Sequence, residues 1–202
     1  MGGLPAFVRP EPPGEKTGVA EVLALPHTDW LRHVLAVSGP AEAVARFRVA
    51  ALGAAAIPWH LDLDHEEARL LAPMATAGVA ARLLARELRH AIAAHHERVL
   101  AQIVQGGVCP LDLHRLIPVP ERVLRLGPND PVSLHWLWAH WGTVQPLRHV
   151  RVLDRHADRR LRRTARFVAE FWSADWTPWR AISRLRQDWS LVFDIRPDYG
   201  DA

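Results

Sequence analysis

Three prolines constrain the fold of this chain more than any other feature. Pro40 follows Ser38-Gly39, Pro131 follows Asp130, and Pro178 follows Thr177. Proline has no N–H to lose at a first helical position, and its fixed φ suits that position, whereas deeper in a helix or in a central strand it removes a needed hydrogen bond. Three helices are therefore expected to begin at these points. The spacing that follows agrees. Val44 and Phe47, then Leu134, Trp138 and Trp141, then Ile182, Leu185 and Trp189 recur at three- and four-residue intervals. Glu42 and Asp130 are acidic where a helix start favours it, and Gly53 and Gly142 close the first two helices.

Between these helices the period changes to two. Residues 31–37 alternate with Leu31, His33, Leu35 and Val37 on one face, and the same reading gives strands at 113–119, 148–153, 165–171 and 190–196. Residues 57–64 also alternate, with Pro58 placing that segment at an edge or at a strand start. Residues 66–104 are helical, broken by Pro73 and ended by Gly106-Gly107. In the longer piece Leu84, Leu88, Ile92, His95, Val99 and Ile103 form one stripe, which makes His95 a core histidine. Interleaved strands and helices with short connections predict an α+β chain with a mainly antiparallel sheet, and helices 40–52, 131–141 and 178–189 on one face. The long helix lies in an insertion at about 54–108. Residues 1–26, with five prolines and few large apolar side chains, read as a disordered arm ahead of a single domain at 27–202.

Composition excludes several classes. At 202 residues, with 49% hydrophobic and 23% charged, the chain is long enough for one sizeable core. No run of 18 uncharged apolar residues occurs and the first residues lack a basic n-region, so the expectation is a cytoplasmic protein without a membrane partner. Cys109 is the single cysteine, which excludes an intrachain disulfide and a Cys-based zinc cluster; it reads as a small buried apolar residue. No phosphate loop, GxGxxG, HExxH or CxxC occurs, and no cofactor is expected.

Four segments in a fixed order carry a family resemblance. They are Trp30-Leu-Arg-His-Val-Leu-Ala-Val-Ser-Gly39-Pro40; Asp112-Leu-His-Arg-Leu-Ile-Pro118-Val-Pro120; Trp136-Leu-Trp138-Ala-His-Trp141-Gly142-Thr143; and Arg166-Phe-Val-Ala-Glu-Phe171-Trp172-Ser-Ala-Asp-Trp176-Thr-Pro178-Trp179. This order resembles the YubB-like family of plasmid and phage proteins and implies a ferredoxin-like fold. The likeness runs from Trp30 to about Tyr199, with 54–108 unmatched. Family members carry Trp-Cys-x-Asn where this chain has Trp30-Leu31-Arg32-His33, and Lys after Trp-Gly-Thr where it has Val144. The resemblance implies no catalytic residues.

Four constellations are candidates for chemistry. From Arg148 to Arg166 the chain holds Arg148, Arg151, Arg155, Arg159, Arg160, Arg162, Arg163 and Arg166 against Asp154 and Asp158, a local charge of +6 suited to nucleic acid; a solvated hairpin gives the same pattern. Nine tryptophans offer stacking or core anchoring, with Trp172 and Trp176 the expected interaction residues. His60, Asp62 and Asp64, with His65 beside them, would converge on a divalent metal if their segment is a strand; a polar edge strand looks alike. His90, His95, His96 and Glu97 are wrongly spaced for one helical face of ligands.

The first functional reading is a non-enzymatic accessory protein of a mobile element that binds nucleic acid or protein. A ferredoxin-like nuclease with His33 as general base is the alternative, and a protein-interaction or counter-defence factor is the third.

Overall fold

In the computed structural model, which describes residues 28–72, 78–106, 108–153 and 164–198, β1 (Trp30–Pro40) runs directly into α1 (Ala41–Ala51). A helical insert of α2 (Leu63–Leu71) and α3 (Val79–Gln105) follows, then two single turns, α4 (Leu113–Leu116) and α5 (Glu121–Leu124). The chain closes with α6 (Pro131–Trp141), β2 (Arg148–Val152), β3 (Thr164–Ala174), α7 (Trp179–Trp189) and β4 (Val192–Asp198). The strands form one sheet in the order β2-β3-β1-β4, with every neighbouring pair antiparallel. The arm at 1–26 lies outside the described residues.

Period-two alternation decides which face of the sheet is buried. Leu35 and Val37 of β1, Phe167, Ala169 and Phe171 of β3, and Phe193 and Ile195 of β4 share one face and one core cluster with Val44 and Phe47 of α1, Leu137 and Trp141 of α6, and Ile182 and Leu185 of α7. Phe47 stands at its centre, edge-on to Phe167, Trp189 and Phe193. The opposite face of the sheet contributes nothing to that cluster.

The proline signals hold, with a shift of one residue at two of them. Pro131 is the first residue of α6, and Asp130 caps it by accepting from the Val132 N–H at 2.8 Å. Pro40 and Pro178 instead occupy the position before the first helical residue. Thr177 lies one residue before the cap position of α7, and its hydroxyl is bonded to His33. Gly142 ends α6 in the left-handed region at φ 80°, where a side chain is disfavoured.

Two expected strands do not form. Residues 113–119 alternate, yet Leu113 and Ile117 are also four apart, and a helical turn buries both. Asp112 selects the turn by accepting from the His114 N–H at 2.8 Å. Pro118 and Pro120 then hold the chain extended outside the sheet, and Val119 N–H donates to His114 Nδ1. Residues 57–64 likewise form no strand. Trp59 N–H turns back on Ile57 O and His60 N–H donates to Leu124 O, after which Asp62 starts α2.

The insertion has a closed neck. Gly53 and Cys109 exchange both backbone hydrogen bonds, at 3.0 and 2.9 Å, so residues 54–108 leave and return at one point. Asp112 presses against Gly53 there. A Cβ on Gly53 would fall 2.1 Å from Asp112 Oδ2, an oxygen that accepts from Ala55 N–H. Within the insertion α3 packs on α2, joined by Arg89 to Asp64 at 2.6 Å and to Glu67 at 3.4 Å. The stripe on α3 is not a core stripe. Leu84 and Leu88 are exposed, His95 is exposed, and Ala85 is the buried residue of the helix.

Candidate nucleic-acid interface

The face of the sheet opposite the core cluster, which is free of helix among the described residues, gathers arginine and indole. In the row where Trp172 of β3 stands, Arg148 of β2 lies opposite on one side and Arg32 of β1 on the other, with Asp198 of β4 beyond. The next row holds Arg151, Glu170, Val34 and Arg196. Trp30 lies on the same face one row the other way, and Arg166 two rows beyond Glu170. Alternation puts them there: each is separated from the next on its own strand by an even number of residues, apart from the irregularity between Arg148 and Arg151.

Glu170 organises this surface. Its side chain is 1% exposed, and a carboxylate so placed needs partners. Arg32 Nη2 donates to Oε2 at 2.6 Å, and Arg151 Nη2 lies 2.7 Å from Oε1. Arg32 reaches Asp198 as well, at 2.7 Å. Burial pushes the Glu170 carboxyl up, but the hydrogen bond from Arg32 and the charge of Arg151 outweigh it, and the net shift is downward. Both guanidiniums are therefore held in fixed positions by an ionised group beneath them.

Arg148 is arranged differently. Its guanidinium carbon sits 3.9 Å from the centre of the Trp30 ring, a cation–π contact, and it donates to Gln145 Oε1 at 3.4 Å. Arg32 lies 5.9 Å from the Trp172 ring, and His149 meets that ring edge-on. Among the described residues Arg148 and Arg166 form no ion pair. Five arginines against Glu170, Asp194 and Asp198 leave this face two net positive charges.

Of the eight arginines expected to form a basic turn, Arg148, Arg151 and Arg166 fall on this face, while Arg155, Arg159, Arg160, Arg162 and Arg163 lie outside the described residues. The two expected interaction tryptophans part company. Trp172 is on the sheet face, whereas Trp176 is in the turn after β3, edge-on to Trp138 and near Trp179 and Arg180. Arg32 and Trp30 were readable as members of an alternating strand, but the sequence does not say which strands neighbour it.

The metal candidates are spent on structure. Asp62 caps α2 by accepting from the Asp64 and His65 N–H groups, Asp64 pairs with Arg89, and His60 lies 3.2 Å from Glu121. Among the described residues no group of three or more His, Cys, Asp or Glu side chains could hold a metal ion. His96 and His95 line a groove of about 550 Å³ between α3 and the body, beside Trp59, and His90 stands elsewhere on the helix.

His33 faces the helix side and is 0% exposed. Its Nδ1 lies 2.9 Å from Leu31 O, which can only accept, so Nδ1 carries the proton and Nε2 accepts from the Thr177 hydroxyl at 2.9 Å. Its ring stacks on Phe171. Burial holds this imidazole below its ordinary range. Trp141, Gly142 and Thr143 are also structural: the indole N–H donates to Ile117 O, Gly142 supplies the left-handed cap, and the Thr143 hydroxyl donates to Ala174 O.

No helix among the described residues is long and apolar enough to cross a membrane. No family model, curated protein or solved structure matches this chain.

Proposed function

We propose that this chain is a binding module that holds nucleic acid on the helix-free face of its sheet, within a ferredoxin-like split β-α-β domain. The observation that carries the reading is the gathering of Arg32, Arg148, Arg151 and Arg166 with Trp30 and Trp172 on one face of the sheet, on which no helix among the described residues packs into the core cluster. Guanidinium groups meet phosphates and indoles meet bases, and a sheet face that presents both is suited to a polynucleotide. The strand order β2-β3-β1-β4 with antiparallel neighbours supports the ferredoxin-like part. The resemblance to YubB-like proteins supports an accessory role in a plasmid or phage. The full burial of His33 favours the binding reading over the nuclease one, in which His33 would be the general base.

The test is equilibrium binding of a fluorescent 20-mer at a series of salt concentrations. Affinity should fall steeply with salt. Arg148→Ser with Arg166→Ser should weaken binding while leaving the thermal midpoint in place, since neither makes an ion pair among the described residues. Absence of binding at low salt overturns the proposal. A protein-binding reading then takes its place, favoured by the exposure of Trp176 at 40% and Trp179 at 48% beside Trp138.

A further inference from the structure

The two indoles of the helix-free face differ in what covers them, and that difference points to the form of the ligand. Trp30 and Trp172 are diagonal neighbours on β1 and β3, since Trp30 pairs with Ala174 and Arg32 with Trp172. Such positions stand about 7–8 Å apart. Arg32, the guanidinium nearer Trp172, is tied to Glu170 and Asp198. Arg148 over Trp30 is tied to no carboxylate among the described residues, and it reaches across β3 from β2 to lie there. Resting on the Trp30 ring, it covers the place where a flat group would stack.

We infer that the strand bound on this face is single, that its bases stack on Trp30 and Trp172, and that Arg148 leaves Trp30 for a phosphate when a base arrives. This rests on the nucleic-acid reading above and narrows it. A duplex keeps its base faces inside and offers an indole nothing, so it could engage only the charge of this surface. That charge is two net positive, because Glu170, Asp194 and Asp198 offset three of the five arginines. Phosphate attraction of that size is small, and the aromatic faces supply what it lacks. Glu170 contributes by holding Arg32 and Arg151 in place, so two of the three guanidiniums around Trp172 need no reordering on binding.

The experiment compares labelled dT12, U12, a 12-base-pair DNA duplex and heparin in one anisotropy assay. The wild-type chain should prefer both single strands to the duplex. Trp30→Leu and Trp172→Leu should each weaken single-strand binding about tenfold or more and leave duplex and heparin binding unchanged. A far-ultraviolet circular dichroism spectrum unchanged from the wild type reports that the variant is folded. Trp172→Phe, which keeps a ring, should retain most of the preference if the leucine variant fails to fold. Arg148→Ala should keep the preference and reduce the salt slope by about one. Single strand and duplex bound alike, with tryptophan variants unaffected, overturn the stacking inference and leave the charged-face reading standing. Failure to bind any of the four overturns both. A difference between dT12 and U12 separates DNA from RNA without affecting the inference.

Discussion

Arg32 on β1 and Glu170 on β3 are diagonal neighbours, and their side chains close at 2.6 Å over a carboxylate that solvent scarcely reaches. One ion pair thus crosses the central strand pair of the sheet, with Arg151 approaching the same carboxylate from the other side.

This pairing gives stability a sign with respect to pH. The Glu170 carboxyl is held below its ordinary value, so its contribution is fully present above about pH 4.5 and is lost as pH falls below that. Glu170→Gln should lower stability at pH 7 by about 1–2 kcal/mol, because both guanidiniums also reach water. The variant should lose this part of the acid sensitivity. Urea midpoints at pH 7, 4.5 and 3.5 measure it, and equal pH slopes in the two proteins would refute it.

His33 acts in a higher window. Burial lowers its proton affinity in the folded chain, so the unfolded chain binds the proton first as pH falls below 6.5. Stability should therefore be full above pH 6.5 and decline toward pH 5. His114 is shifted in the same direction, chiefly by burial. His33→Gln should reduce the slope between pH 7.5 and 5.5 without removing it, as read from denaturation midpoints at those two values.

Gly53→Ala should destabilise the chain by about 1–3 kcal/mol, the range for forced overpacking. The added methyl meets Asp112 and Arg115 at the neck of the insertion, beside the Gly53–Cys109 bridge, and Asp112 can move aside only by giving up the hydrogen bonds it accepts from the Ala55 and His114 N–H groups. Hydrogen exchange should show faster exchange at the Gly53 and Cys109 amides in the variant. An unchanged midpoint and unchanged protection would contradict this account.

Cys109 should resist thiol reagents in the native chain. Its Sγ donates to Leu111 O at 3.2 Å, and burial pushes the thiol up to about 11. Thiolate is therefore scarce at neutral pH. Labelling by iodoacetamide at pH 7.5 should be slow without urea and fast above the unfolding midpoint. Rapid native labelling would show that the neck opens.

Much of the fold was legible because two periods and three prolines coincide. β4 alternates cleanly into the core, β1 and β3 carry their large apolar side chains at alternate positions although Ala36, Val168 and Glu170 between them are buried too, and Pro40, Pro131 and Pro178 mark helix starts to within a residue. Residues 113–119 misled because Leu113 and Ile117 satisfy both periods, and the deciding contact, the Asp112 cap, is a single hydrogen bond. Residues 57–64 misled although a signal was present: Asp62 followed by Asp64, Glu66 and Glu67 is an acidic helix start, and it outranked the alternation. The stripe on α3 was read as core because periodicity records amphipathicity and not what an element packs against. The interface was half legible. Arg148, Arg151, Arg166 and Trp172 were visible as types, but the sheet order that brings Trp30 and Arg32 beside them comes from pairings across more than a hundred residues.

That sheet order also sets when this protein can fold. β1 is the first strand among the described residues and occupies an interior place, bonded along both edges. Its partners come late: Arg32 meets Glu170 at a separation of 138 residues and Asp198 at 166. On a ribosome the segment 30–40 would emerge with two unpaired edges, and neither is closed until β3 is made, with Glu170 138 residues beyond Arg32. Contacts so distant in sequence slow folding, and an unpaired apolar strand invites pairing with another chain. A nascent chain arrested before β4 should therefore be captured by a chaperone that grips extended apolar segments, and release should follow once residue 198 clears the exit tunnel.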